Sequence, residues 1–96
     1  MGFDLLPKSK TATPLRYNHA GWRFLQEFIL DGVRALRISH VVHLPMMNDG
    51  KLIPDTECRL VAQIIRAHAK SLSKEDAAWI RSHAESWEKS GGFHVF

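Results

Sequence analysis

The chain opens on MGFDLLPK and closes on EKSGGFHVF, residues 88–96. No other feature restricts the fold as much as this pair of apolar ends. A frayed terminus is usually polar, because nothing ties it down. Phe93, Val95 and Phe96 are instead residue types suited to burial. Ser90-Gly91-Gly92 stops a preceding helix, since glycine just past a helix end accepts the left-handed turn that other residues resist. Beyond it, Phe93 to Phe96 alternate with the two-residue period of a strand. A lone strand leaves its backbone groups unpaired and needs a partner. The other short apolar run, GFDLL at 2–6, closed by Pro7, is the obvious one. The expectation is one α+β domain over residues 1–96, with about three helices packed on a small sheet formed by the N- and C-terminal strands.

Between the ends the periodicity is helical. PKSKTATPLRYN carries two prolines and many small polar residues and reads as an extended arm or loop. Asn18 is a plausible N-cap, followed by Trp22, Leu25, Ile29, Val33 and Leu36 at spacings of three and four. Arg23, Glu27, Asp31 and Arg34 fall on the opposite side. Gly32 costs such a helix about 1 kcal/mol relative to alanine, which predicts a bend or an end near it. ISHVVHLPMM, residues 38–47, reads equally as a strand, a connector or a short helix, and NDG at 48–50 is a turn signal. A second helix starts at an Asp55 or Thr56 cap, with Leu60, Val61, Ile64, Ile65 and His68 on one face and Arg59, Gln63, Arg66 and Lys70 on the other. A third starts at Ser73, with an acid three residues on, and buries Ala77, Ile80, Ala84 and Trp87. Arg81–Glu85 and Glu85–Lys89 are its exposed i,i+4 pairs.

Composition sets the broad class. With 45% apolar and 24% charged residues, the chain is globular rather than disordered. A net charge of +3 permits contact with nucleic acid or an acidic protein surface without selecting either. A single cysteine, Cys58, excludes an internal disulfide and fits a reducing compartment. The N-terminus has no long apolar segment of the signal-peptide kind, and no stretch approaches the ~20 apolar residues that span a bilayer. A cytoplasmic protein is expected.

MGFDLLPK, then LRYNHAGWRFL, then NDGKL before a helix, and finally SGGFHVF together resemble a family of small, largely uncharacterised proteins of phages and prophage-bearing bacteria. Such proteins open with Gly-Phe-Asp-hydrophobic, carry a Phe-Arg-x-Asn-x-x-x-Trp segment, and close with Ser-Gly-Gly-Phe-x-hydrophobic. Here Leu15-Arg16-Tyr17-Asn18 replaces the Phe-Arg-x-Asn, and Gly21-Trp22 stands where aromatic residues cluster. The resemblance supplies no activity residue by residue. It implies a setting, an accessory protein of a phage or mobile element, where proteins of this size are often inhibitors of a host defence complex, as anti-CRISPR proteins are.

Six histidines invite a metal reading: His40 and His43 with Cys58, His68 or His83. No CxxC, HExxH or paired Cys/His block supports it, and loop or core histidines are favoured, with no metal and no cofactor expected. Cys58 lies among Asp55 and Glu57, which disfavour a thiolate, so a buried inert thiol is favoured over a nucleophile. No nucleophile elbow or phosphate-binding glycine loop is present. The basic face Arg59, Arg66 and Lys70, joined by Lys8, Lys10 and Arg16 from the arm, is the best hint of phosphate contact, weighed against an ordinary solvated helix face. Of the tryptophans, an exposed one is the expected anchor for a partner. The candidate binding residues are therefore Arg59, Arg66, Lys70, Arg16 and Trp22. The expected function is non-enzymatic: a host protein or defence complex is bound and blocked. A weak, sequence-independent nucleic-acid binder is the first alternative and a small metal-dependent enzyme the second.

Overall fold

A computed structural model describes residues 2–40 and 42–96. Met1 and Val41, at the start of the opening run and inside ISHVVHLPMM, lie outside the described residues. The chain runs β1 (Gly2–Pro7), β2 (Leu15–Asn18), α1 (His19–Ala35), β3 (Lys51–Pro54), α2 (Asp55–His68), a 3-10 turn (Ala69–Ser71), α3 (Lys74–Arg81), α4 (Ala84–Lys89) and β4 (Gly92–Val95). One antiparallel sheet has the strand order β2-β1-β4-β3. The terminal strands β1 and β4 are its central pair, as the apolar ends predict. Two further strands flank them. β2 comes from the segment read as an arm, and β3 follows the turn at 48–50.

The register explains the alternation of apolar residues. Leu5 stands between Leu15 and Val95, Phe3 faces Tyr17, and Ile53 faces Phe93. Phe3, Leu5, Tyr17, Ile53, Phe93 and Val95 are all buried, so every strand turns one side to the helices. Each such aromatic or branched side chain contributes about 1.5–3 kcal/mol when removed from water. Gly91 and Gly92 have φ of 69° and 115°, and the turn they make passes the chain from α4 into β4. Ser90 is fully buried there; its hydroxyl donates to Trp87 O and accepts from Gly92 N–H.

Asn18 caps α1 by accepting from Gly21 N–H at 2.7 Å, and Ser73 caps α3 by accepting from Asp76 N–H at 3.2 Å. The expected cap at Asp55 or Thr56 is corrected: Pro54 holds the N-cap position of α2 and makes no side-chain bond. α1 ends at Ala35, three residues beyond Gly32, so the end falls near the glycine as expected. A Cβ at Gly32 would overlap the Ile64 side chain, so the glycine is where α1 and α2 come closest. The end of α1 is a Schellman turn, with Ile38 N–H on Val33 O and Arg37 N–H on Arg34 O. Arg37 occupies the left-handed position at φ 55° without being glycine. The third expected helix is divided. Ser82 Oγ donates to Trp79 O, and His83 N–H reaches only to Ile80 O, so the axis breaks between α3 and α4. For the same reason the Glu85–Lys89 pair forms at 2.7 Å, whereas no Arg81–Glu85 pair forms among the described residues. The described residues of 38–47 form neither strand nor helix; Val42 and Leu44 tuck this connector into the core.

Candidate functional site

The strands have two faces, and the outer one carries no helix. Across it, Leu6 faces His94 and His94 faces Leu52, in one row over three adjacent strands. Phe96 continues the β4 alternation onto the same face, its ring 6.2 Å from that of His94. Leu6, Leu52 and Phe96 are 46%, 42% and 50% exposed, and they flank the half-buried His94 in one strip. The strip is held in place. Phe96 exchanges backbone hydrogen bonds with Asp4, Gly50 N–H donates to Val95 O, and His94 Nδ1–H donates to Gly50 O at 3.2 Å. Gly50, at φ 91°, is needed twice over, since a Cβ there would also meet the Phe96 ring. Lys8 stands exposed at one margin of the strip, whereas Lys51, paired with Val95, belongs to the other face. Asp4 and Arg16, opposite one another on β1 and β2, pair at 3.2 Å and leave no net charge between them.

The other candidate binding residues do not converge on this face. Arg59 bonds Asp55 within α2 at 2.9 Å, and Arg66 reaches Glu88 on α4 at 2.6 Å. Lys70 lies on the 3-10 turn beyond α2 and is the one member of that basic face with no carboxylate partner among the described residues. Two of the three cations are thus neutralised in place, and the arm's Arg16 lies on the sheet. Trp22 is a correction: it is 2% exposed, stacks on Phe3, and donates its indole N–H to Pro45 O. The exposed indole is that of Trp79. Trp22 carries the helical apolar spacing of its helix, whereas Trp79 falls beside the Ala77, Ile80, Ala84 and Trp87 stripe, which accords with its exposure.

The histidines disperse. His40 lies 3.8 Å from Glu57, His68 bonds Asp31 at 2.7 Å under Phe28, and His83 bonds Tyr17. Among the described residues, no three His, Cys, Asp or Glu side chains come together as a metal-holding group. Cys58 is fully buried, its thiol donating to Ile53 O, and burial pushes its pKa up, so it stays a thiol.

The contact that sequence reasoning missed is a buried chain of hydrogen bonds. Trp87 Nε1 donates to Tyr17 Oη at 3.1 Å, and Tyr17 Oη lies 2.9 Å from His83 Nδ1. The three residues come from α4, β2 and the α3–α4 junction. Burial raises the Tyr17 hydroxyl far above its ordinary pKa, with the Trp87 bond opposing in part, and burial lowers that of His83. Sequence separations of 66 and 70 residues give no local signal for such a triad. The Leu15–Tyr17 alternation, which would have marked β2 as a strand, was the clue to its first member.

No family model, no curated protein and no solved structure matches the chain. No helix among the described residues is long and apolar enough to cross a membrane.

Proposed function

We propose that the chain is a non-enzymatic accessory protein of a phage or mobile element that, in the host cytoplasm, binds and blocks a host protein, with defence complexes of the kind anti-CRISPR proteins inhibit as the target class. The phage setting rests on the resemblance of the opening, middle and closing motifs. The observation that carries the binding mode is the apolar row Leu6–His94–Leu52 with Phe96 on the open face of the sheet. Lys8 at its margin favours a partner with an apolar centre and an acidic residue at the rim, because such a charge raises the association rate and rejects like-charged surfaces. Nucleic-acid binding is the weaker reading, since Arg59 and Arg66 each already hold a carboxylate.

The test is site-specific photo-crosslinking in host cells, with the reactive group at Leu52 and, as a control, at Gln63 on the exposed side of α2. The expected result is one discrete protein adduct from position 52, absent from position 63 and lost when Leu6→Ser is added. Adducts equal at both positions would overturn the reading. So would duplex DNA binding that falls steeply with salt and disappears in the Arg59→Glu, Arg66→Glu, Lys70→Glu variant.

A further inference from the structure

The loop at residues 8–14, β2 and the α3–α4 junction enclose a cleft of about 330 Å³ on a different part of the surface from the open sheet face. Thr11, Thr13, Ser82, His83, Glu85 and Lys89 line it. The Trp87–Tyr17–His83 chain fixes the chemistry of its one imidazole. An indole N–H can only donate, so the Tyr17 oxygen accepts from Trp87, and the one acceptor among the described residues within reach of the buried Tyr17 proton is His83 Nδ1, 2.9 Å away. Nδ1 is therefore the acceptor, and in the neutral ring the proton sits on Nε2. Among the described residues, the only buried side-chain polar atom without a partner is Asp55 Oδ1. His83 Nε2, which bonds no protein group among the described residues, is consequently not sealed from solvent, on a residue that lines the cleft.

A donor locked into place from behind recognises a ligand acceptor. We propose that this cleft binds a small oxyanion, a carboxylate or phosphate group, with His83 Nε2–H as the directional donor and Lys89 as the countercharge. The ligand competes with Glu85, whose carboxylate lies 2.7 Å from Lys89 Nζ. Both of those side chains are solvent-exposed, so releasing Lys89 from Glu85 costs little. The hydroxyls of Thr11 and Thr13 border the same space and can give or accept a hydrogen bond as the ligand requires. Burial behind the cleft keeps His83 neutral near pH 7, so recognition uses the N–H dipole and not an imidazolium charge.

The experiment is imidazole nitrogen NMR on the labelled protein, with acetate and inorganic phosphate added separately and chloride as the ionic-strength control. The free protein should show the Nε2–H form of His83. One oxyanion should shift that signal saturably, with a Kd on the order of 1 mM, and the arm that responds identifies carboxylate or phosphate. Lys89→Met, an exposed change that leaves the fold intact, should weaken binding roughly tenfold. His83→Gln, whose amide nitrogen stands near the place of Nε2, should retain part of the affinity that His83→Leu removes. A His83 ring in the Nδ1–H form, shifts no larger than those from chloride, or binding indifferent to Lys89→Met would each overturn the proposal.

Discussion

The two faces of one sheet have been given opposite tasks by the same four strands. On the inner face, Phe3, Leu5, Tyr17, Ile53, Phe93 and Val95 lose nearly all contact with water and hold the helices. On the outer face, one residue along in each strand, Leu6, Leu52 and Phe96 remain about half exposed. Strand alternation explains where each side chain points. It does not explain why Leu6, Leu52 and Phe96, among outward positions that also hold Asp4, Arg16 and His94, are apolar, since a solvated face of an antiparallel sheet is ordinarily polar. Stability accounts for the inner residues. The outer residues contribute little to it, which is why the proposed contact is placed on them.

The largest effect belongs to the inner face. Phe93→Ala should lower the unfolding free energy by about 3–5 kcal/mol, because a fully buried ring beneath Trp87 would leave a cavity the sheet cannot close. Chemical denaturation checks this. A loss under about 1 kcal/mol would show that β4 is not clamped between β1 and β3, and the contrast between faces would collapse with it.

How far the sequence discloses this contrast depends on the length of each element. The terminal strands are legible because their apolar residues alternate on the far side of glycine and proline stops. The helix starts at Asn18 and Ser73 are legible because the capping residues form their bonds locally. β2 and β3 are four residues each, one carrying Arg16 and Asn18 and the other ending in Pro54, so their patterns are too short and too polar to stand out. Gly32 is legible only in part. Local propensity marks it as a weak point, while the close approach of Ile64 makes it a packing requirement. The site is less legible than the fold. Leu6, Leu52 and Phe96 are 44 to 90 positions apart until register places them together.

A middle-sized effect tests the one polar feature of the inner face. Tyr17→Phe keeps the buried ring but removes the oxygen that Trp87 and His83 share, leaving a buried indole N–H without an acceptor. It should cost about 1–3 kcal/mol. The same cluster gives a pH dependence. Burial holds His83 below its ordinary value of 6.5, so as the pH falls through that value the unfolded chain takes up a proton that the native chain resists. Stability is full above the ordinary imidazole range and declines as the pH drops through it. Melts at about pH 8 and about pH 5 should show a larger decline in the native protein than in His83→Gln. An equal decline in both would place the acid sensitivity elsewhere.

The smallest effect is the most informative about function. Leu6→Ser with Leu52→Ser removes two of the three apolar side chains from the outer face, at positions already about half in water. Their backbone bonds to β4 are unaffected, and the neighbouring His94 keeps its bond to Gly50 O. Little apolar area changes its exposure on unfolding, so each substitution should move stability by no more than about 0.5 kcal/mol, as ordinary surface changes do. Crosslinking to the partner, read here from a reactive group at Lys8, should nevertheless be lost, since truncating central apolar anchors of an interface costs about 1 kcal/mol or more apiece. A variant that melts with the native protein and no longer captures its partner separates the faces by task. If stability instead fell by several kcal/mol, Leu6 and Leu52 would belong to the core, and nothing about their chemistry would point to a partner.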